Sequence, residues 1–450
     1  MNYASLIMLG LVASASAACS GDSASVATDG AGAETASAPT FYQDARPLFD
    51  SKCVQCHQAG GIAPFSLHDY DQARTRATQI AAYTAERIMP PYLLETGGEC
   101  GSFDESIALT DAEIALIGAW TRGGALEGTP VEAVIPPVPR LEDGHDVSIP
   151  EYTPQIDGGP LALFDEYRCF PVPTHLTERT FMTGYDVLPG NAQIVHHVLA
   201  FVVNPSAMSE DGSRSNQQVM DALHAESPDR DGWPCFNMAG DNVAVESAPV
   251  TWAPGQGVVT FPGGIGVALE PDRIMVMQIH YNMADAAPAP DQTTLRLKLS
   301  PTTERQGVFL MGDDLLGSLY DSPNVLPPGQ PSVKFTWETS GTALGLPPDV
   351  SLDVLALFPH MHGRGHKYTF EYSPDGGAYQ CQGRVNAWDF NWQRIYDYTN
   401  ALPFTADSKF RVTCDYDTSR DTEPVLPGWG TRNEMCFVML MAALPAGFVQ

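Results

Sequence analysis

The stretch Leu352-Asp353-Val354-Leu355-Ala356-Leu357-Phe358, followed by Pro359-His360-Met361-His362, decides how this chain is read. Leu352–Phe358 is a short, largely apolar run with the character of a strand. His360 and His362 stand at i and i+2, which share one face of a strand and make a two-imidazole pincer. Met435, in Glu434-Met435-Cys436-Phe437, offers a soft thioether. Two imidazoles with one thioether favour copper over zinc and stabilise Cu(I). His366 lies four beyond His362, after two glycines, and is either a supporting residue or a surface one.

Working outward, the same texture recurs from residue 151 to the end. Gln193–Val203, Arg273–His280, Thr294–Leu299, Gly307–Met311, Lys367–Glu371 and Phe437–Met441 are strand-like runs. Pro-Gly turns separate them, at Pro189-Gly190, Pro254-Gly255, Pro262-Gly263 and Pro328-Gly329. No convincing long helix is expected there. Two all-β sandwich domains follow from this pattern, over 151–300 and 301–450.

The first of these carries a second histidine pair, His196-His197, in Gln193-Ile194-Val195-His196-His197-Val198. Paired imidazoles in an apolar strand cost desolvation unless something binds them. Adjacent residues of an ideal strand face opposite ways, so one metal reaches both only if the strand is bulged or ends there. His280, in Met277-Gln278-Ile279-His280-Tyr281, supplies a third imidazole. Each pair read alone is equally compatible with buried, hydrogen-bonded histidine.

Residues 41–126 read differently. Helices are expected over Tyr42–Lys52, over Ala73–Ile88, and after Thr110, whose partner Glu113 stands three positions later. This small all-α domain contains Cys53-Val54-Gln55-Cys56-His57, the c-type haem attachment pattern. Cys53 and Cys56 would bond the vinyl groups, His57 the iron, and Met89 the opposite iron face. A redox dithiol or half a zinc site would use the same two cysteines, and core packing would equally suit Met89. His68 reads as a surface residue. The helical segment, with Cys56 to Phe65 and Met89-Pro90-Pro91, resembles small bacterial class I cytochrome c domains, which implies covalent haem c.

The N-terminus has the form of an export signal over 1–18. Leu6 to Ala18 is apolar, too short to span a bilayer as a helix, and ends in small residues before Cys19. Ser16-Ala17-Ala18-Cys19 resembles a bacterial lipoprotein processing site, which implies lipidation of Cys19; plain signal cleavage is the alternative. Residues 19–40 form a flexible tether and 127–150 a proline-containing linker. The protein is expected in the periplasm or on the outer membrane, with an extracellular location also compatible. Any membrane attachment would run through that lipid anchor. With Asp and Glu numbering 54 against 24 Lys and Arg, the formal charge is −30, which disfavours nucleic acid and anionic lipid as partners. Of nine cysteines, Cys100, Cys169, Cys235, Cys381, Cys414 and Cys436 are left for three disulfides, and fifteen pairings are open.

Taken in order, the histidine and methionine clusters of about residues 160–445 resemble the copper type II, ascorbate-dependent monooxygenases. That family includes peptidylglycine alpha-hydroxylating monooxygenase and dopamine beta-monooxygenase. The resemblance implies two jelly-roll-type sandwiches and two copper ions. His196, His197 and His280 would hold an electron-storing copper, with Gln278 and Tyr281 tuning it. His360, His362 and Met435 would hold the catalytic copper, where O₂ and a small-molecule substrate react. It also implies a Cys414–Cys436 disulfide. The implied reaction is R–H + O₂ + 2e⁻ + 2H⁺ → R–OH + H₂O, with electrons from ascorbate, an electron-donor protein or the fused haem. Phe358, Phe437 and Met439 stand where the peptide-processing member grips a carboxylate. They point to a neutral apolar or aromatic substrate. The alternative is an exported haem and copper protein for electron transfer or copper binding, without hydroxylase activity.

Overall fold

Leu352–His360 lies near one end of a long sheet, between Phe437–Ala443 and Tyr396–Phe404, antiparallel to both. The computed structural model describes residues 38–448, apart from 98, 105–106, 136, 157–163, 236–237, 285, 313–324, 391 and 429–432. The export signal, Cys19 and nearly all of the tether lie outside the described residues.

A small helical region comes first. Its helices are Arg46–Lys52, Tyr70–Thr75, Ala77–Ala85 and Asp111–Arg122, with a wider turn over Phe41–Ala45. Thr110 and Glu113 form the expected capping box, each side chain bonding the other's backbone N–H. The long expected helix breaks at Arg76, whose φ of −110° is not helical. Phe41, Phe49, Ile117 and Trp120 close the core of this region.

Large β-sheets follow. One runs in the order His145–Ser148, Thr294–Ser300, Thr180–Leu188, Ile265–Leu269, Arg305–Gly312, Phe437–Ala443, Leu352–His360, Tyr396–Phe404. Strands from both expected sandwiches therefore belong to one sheet. They join at a short parallel pairing, Arg305 with Ile265 and Gln306 with Gly266. A five-stranded sheet orders Trp233–Pro234, Asp165–Pro173, Ile274–Asn282, Val195–Val203 and Ser247–Trp252. A four-stranded sheet orders Val333–Ser340, Lys409–Tyr416, Gly365–Ser373 and Gln380–Val385. One apolar core lies between the five-stranded sheet and the first half of the long sheet, and another between the four-stranded sheet and its second half.

No convincing long helix was expected after residue 151, and the structure has one of ten residues there, Asn216–Ala225. Ser215 and Gln218 cap it reciprocally, and Val219 and Met220 bury its inner face. The six cysteines pair as Cys100–Cys381, Cys169–Cys235 and Cys414–Cys436. The first ties the segment between helices Ala77–Ala85 and Asp111–Arg122 to the four-stranded sheet. Beside it, Arg384 pairs with Glu95, and the Phe103 ring stacks on Tyr398 at 4.8 Å.

Candidate metal centres

The adjacent histidines share a site because their strand is irregular. Val195–Val203 pairs antiparallel with Ile274–Asn282, and the register shifts between Val195 and His197. The extra residue turns His196 to the same side as His197, as the metal reading required. His197 then pairs directly with His280. His196 Nδ1 lies 3.3 Å from His280 Nδ1, which lies 3.5 Å from His197 Nδ1. Nitrogens held about 2.0–2.1 Å from one metal at tetrahedral to trigonal angles sit about 3.3–3.6 Å apart. Both separations fit a single ion, and the three-histidine cluster can hold one.

Two neighbours that sequence reasoning missed orient His280. Asp165 Oδ1 accepts from His280 Nε2 at 2.9 Å and from Asn282 Nδ2 at 2.7 Å. The proton is thereby fixed on Nε2, leaving the Nδ1 lone pair for a metal. Burial raises the Asp165 carboxyl, but the bonds from His280 and Asn282, with the nearby His280 and His196 rings, together hold it below its ordinary range. Tyr167, paired with His280 across the sheet, stacks on its ring at 4.0 Å. The expected tuning residues do other work. Gln278 donates to the Met238 carbonyl at 3.0 Å, and Tyr281 donates to Asp291 within the core.

At the second site, His360 pairs with Phe437 and Phe358 with Met439 across antiparallel strands. Gln393 Oε1 bonds His360 Nδ1, and the Asn433 carbonyl bonds His362 Nδ1 at 3.1 Å. In these neutral rings the lone pair then sits on Nε2. The two rings stand 5.1 Å apart at 88°. Buried Glu434 accepts from the His362 and Arg364 amides, and burial pushes its carboxyl up to about 8. Met435 is held by its own carbonyl, which accepts from Tyr416 at 2.7 Å, and by the neighbouring Cys414–Cys436 disulfide. His366 is exposed, while His68 is half-buried and bonds Asp50.

His197, His360, His362 and Met435 all open on one pocket, with Phe358, Phe390, Phe437, Met439, Gln278 and Gln393 in its wall. No Asp, Glu, Lys or Arg is among the described lining residues.

Burial pulls His196 down to about 3, helped by neighbouring His280, and His360 down to about 4 against the Gln393 bond. An imidazole of ordinary pKa, about 6.5, begins to lose metal to protons below that pH. These two rings stay neutral through that window. Copper affinity measured between pH 7 and pH 5 should therefore change by less than about threefold through these rings. A tenfold fall would show that they titrate normally.

The covalent haem expected on Cys53, Cys56 and His57, with Met89 opposite, is corrected. The metal-binding group formed by histidines and acidic or thiol side chains among the described residues is His196, His197 and His280, with no member from the helical region. Cys53 and Cys56 are thiols outside the three disulfides, and burial pushes them up to about 12 and about 11. The Cys56 thiol donates to the Pro254 carbonyl at 3.3 Å, and a Cβ at Gly255 would lie 3.1 Å from its sulfur. The thiol meant for a vinyl group is thus covered by the Pro254-Gly255 turn. The His57 ring packs on Phe65 at 4.5 Å. This segment is a packed junction, and haem is not retained as a cofactor.

Comparison with known proteins agrees with the metal geometry. Tyramine beta-hydroxylase of Caenorhabditis briggsae is 20% identical over 254 residues, covering 56% of this chain and 40% of that protein. Dopamine beta-hydroxylase of Canis lupus familiaris is 25% identical over 191 residues, covering 41% and 30%. The Rattus norvegicus enzyme is 22% identical over 254 residues, covering 54% and 40%. The chain thus spans well under half the length of these relatives. Among solved structures, the empty cowpea mosaic virus particle aligns at a TM-score of only 0.26 and 8% identity, covering 68% of this chain and 92% of that one. Residues 307–444, which contain His360, His362 and Met435, match the family model described as copper type II ascorbate-dependent monooxygenase, C-terminal domain.

Proposed function

We propose that the chain is a copper-dependent monooxygenase that hydroxylates an aliphatic carbon of a small, neutral, apolar or aromatic substrate. One observation carries this reading: a three-imidazole cluster that can hold a metal, and a softer set of two imidazoles with a thioether, meet one pocket whose described lining carries no charged side chain. The overall reaction is R–H + O₂ + 2e⁻ + 2H⁺ → R–OH + H₂O, with both electrons from an external reductant. Copper, when bound, supplies the one-electron redox chemistry and the reduction of O₂. Asp165 and Gln393 hold the imidazoles in the ligating tautomer. Phe358, Phe437 and Met439 orient the substrate by apolar contact and exclude water from the reacting carbon. The division into 41–126, 151–300 and 301–450, the jelly-roll description of the sandwiches and export to the periplasm or cell exterior belong to the same proposal. The resemblance of Ser16-Ala17-Ala18-Cys19 to a lipoprotein processing site supports an anchor at Cys19.

The pocket makes a direct expectation about charge. A carboxylate or ammonium on the substrate would be desolvated with no ion partner, costing roughly 2 kcal/mol or more. In a matched arylalkyl series with neutral, carboxylate and ammonium ends, the neutral member should have the highest kcat/KM, by about 30-fold or more. A preference for either charged member contradicts the assignment of the pocket.

A further inference from the structure

Three residues of one short segment meet histidines of the two clusters, each residue one histidine. The Trp392 ring packs against His196, with centroids 5.7 Å apart. Gln393, its neighbour in the chain, bonds His360 Nδ1. The Phe390 ring meets His362 edge-on at 5.8 Å. The three are fastened together, because Gln393 Nε2 donates to the Phe390 carbonyl at 2.8 Å. The same bond settles the Gln393 amide: with its nitrogen on Phe390, its oxygen must face His360 and accept. The Trp392 amide donates to the Asp389 carbonyl at 3.2 Å.

We propose that Trp392 and Gln393 are positioning residues that couple the two metal sites, so that ligation at the three-histidine cluster is felt at His360. The inference rests on the functional reading above. Ordering His196 on a metal fixes the face on which Trp392 packs. Fixing Trp392 restricts the backbone carrying Gln393, and Gln393 sets the orientation and tautomer of His360. Neither residue is a ligand, and neither is explained by core packing alone, since each side chain ends on a histidine of a different site.

The test is a copper(II) titration of the full chain followed by electron paramagnetic resonance. That method distinguishes an all-nitrogen environment from one with nitrogen and sulfur. Gln393→Leu should weaken copper at the His360 site by about 10- to 100-fold. Gln393→Glu, which keeps an accepting oxygen at the same reach, should restore most of it. Trp392→Ala touches no donor of the His360 site, yet should weaken copper there by about fivefold or more. Trp392→Phe, which keeps a ring on His196, should stay near the native value and serves as the folded control. If Trp392→Ala alters only the all-nitrogen signal and leaves the His360 site native, the coupling is overturned. Turnover of the native chain is measured in parallel. Coupled copper sites without product would defeat the monooxygenase reading and leave this inference standing. Product formation with an unaltered His360 site in Trp392→Ala would do the reverse.

Discussion

Met435→Ala should abolish hydroxylation while the three-histidine cluster keeps its metal. Met435 is 2% exposed and lines the pocket with His360 and His362. Its backbone is pinned at two successive carbonyls: Tyr416 bonds that of Met435, and Trp337 Nε1 bonds that of Cys436 at 2.8 Å. The thioether is therefore presented by a rigid segment, and alanine cannot replace it through a shift of the chain. Loss of residues that merely support ligands costs about 10- to 100-fold in affinity or activity, so loss of the soft donor itself should exceed about 100-fold in product formation. Alanine also leaves a cavity worth roughly 2–5 kcal/mol. Met435→Leu separates the two effects. It conserves volume at a cost below about 1.5 kcal/mol, and it should be as inactive as the alanine variant. Metal analysis and product assay on both variants check this. A fully active Met435→Leu enzyme would remove the thioether from the chemistry.

His196→Ala produces the complementary defect. It deletes one of three converging Nδ1 donors, and with it the contact to Trp392. Two imidazoles remain, one of them still oriented by Asp165, but the site loses its third nitrogen. Copper content should fall by one equivalent per chain; the site at His360 should still fill at saturating copper, with an affinity lowered by the lost Trp392 contact. Steady-state hydroxylation should fall by about 100-fold or more, because each turnover needs two electrons and only one site remains to receive them. Copper stoichiometry, set beside oxygen uptake, checks this. Native turnover with one copper missing would show that the three-histidine cluster plays no part.

Both sites were visible in the sequence through local spacing. The structure puts His360 and His362 in the pocket with Met435, although the strand ends at His360 and His362 lies two residues past it. His196 and His197 needed an irregular strand, and the shift before His197 provides it. What stayed hidden depends on distant pairing. Asp165 lies more than a hundred residues from His280, and only sheet register sets them side by side. Gln393 reaches His360 from the segment just before Tyr396–Phe404, and no pattern in that segment marks it. The joining of both sandwiches into one sheet rests on a two-residue parallel pairing, too short to leave a periodic trace. Helix Asn216–Ala225 did leave a signal, Ser215 followed by Gln218, which the strand-rich surroundings outweighed. The Cys53–His57 motif shows the opposite failure. Its spacing describes chemistry that five residues can perform, but not the Pro254-Gly255 turn that packs over Cys56.

Oxygen-isotope incorporation tests the central claim most directly. The full chain, loaded with copper and supplied with a reductant, is given ¹⁸O₂ and a panel of neutral alkyl-aromatic, charged and glycine-extended peptide candidates. One labelled oxygen is expected at an aliphatic carbon of a neutral substrate, with the second oxygen leaving as water and two electrons consumed per product. Incorporation of label from water, or oxygen uptake with no labelled product from any neutral member by the copper-loaded chain, would contradict it.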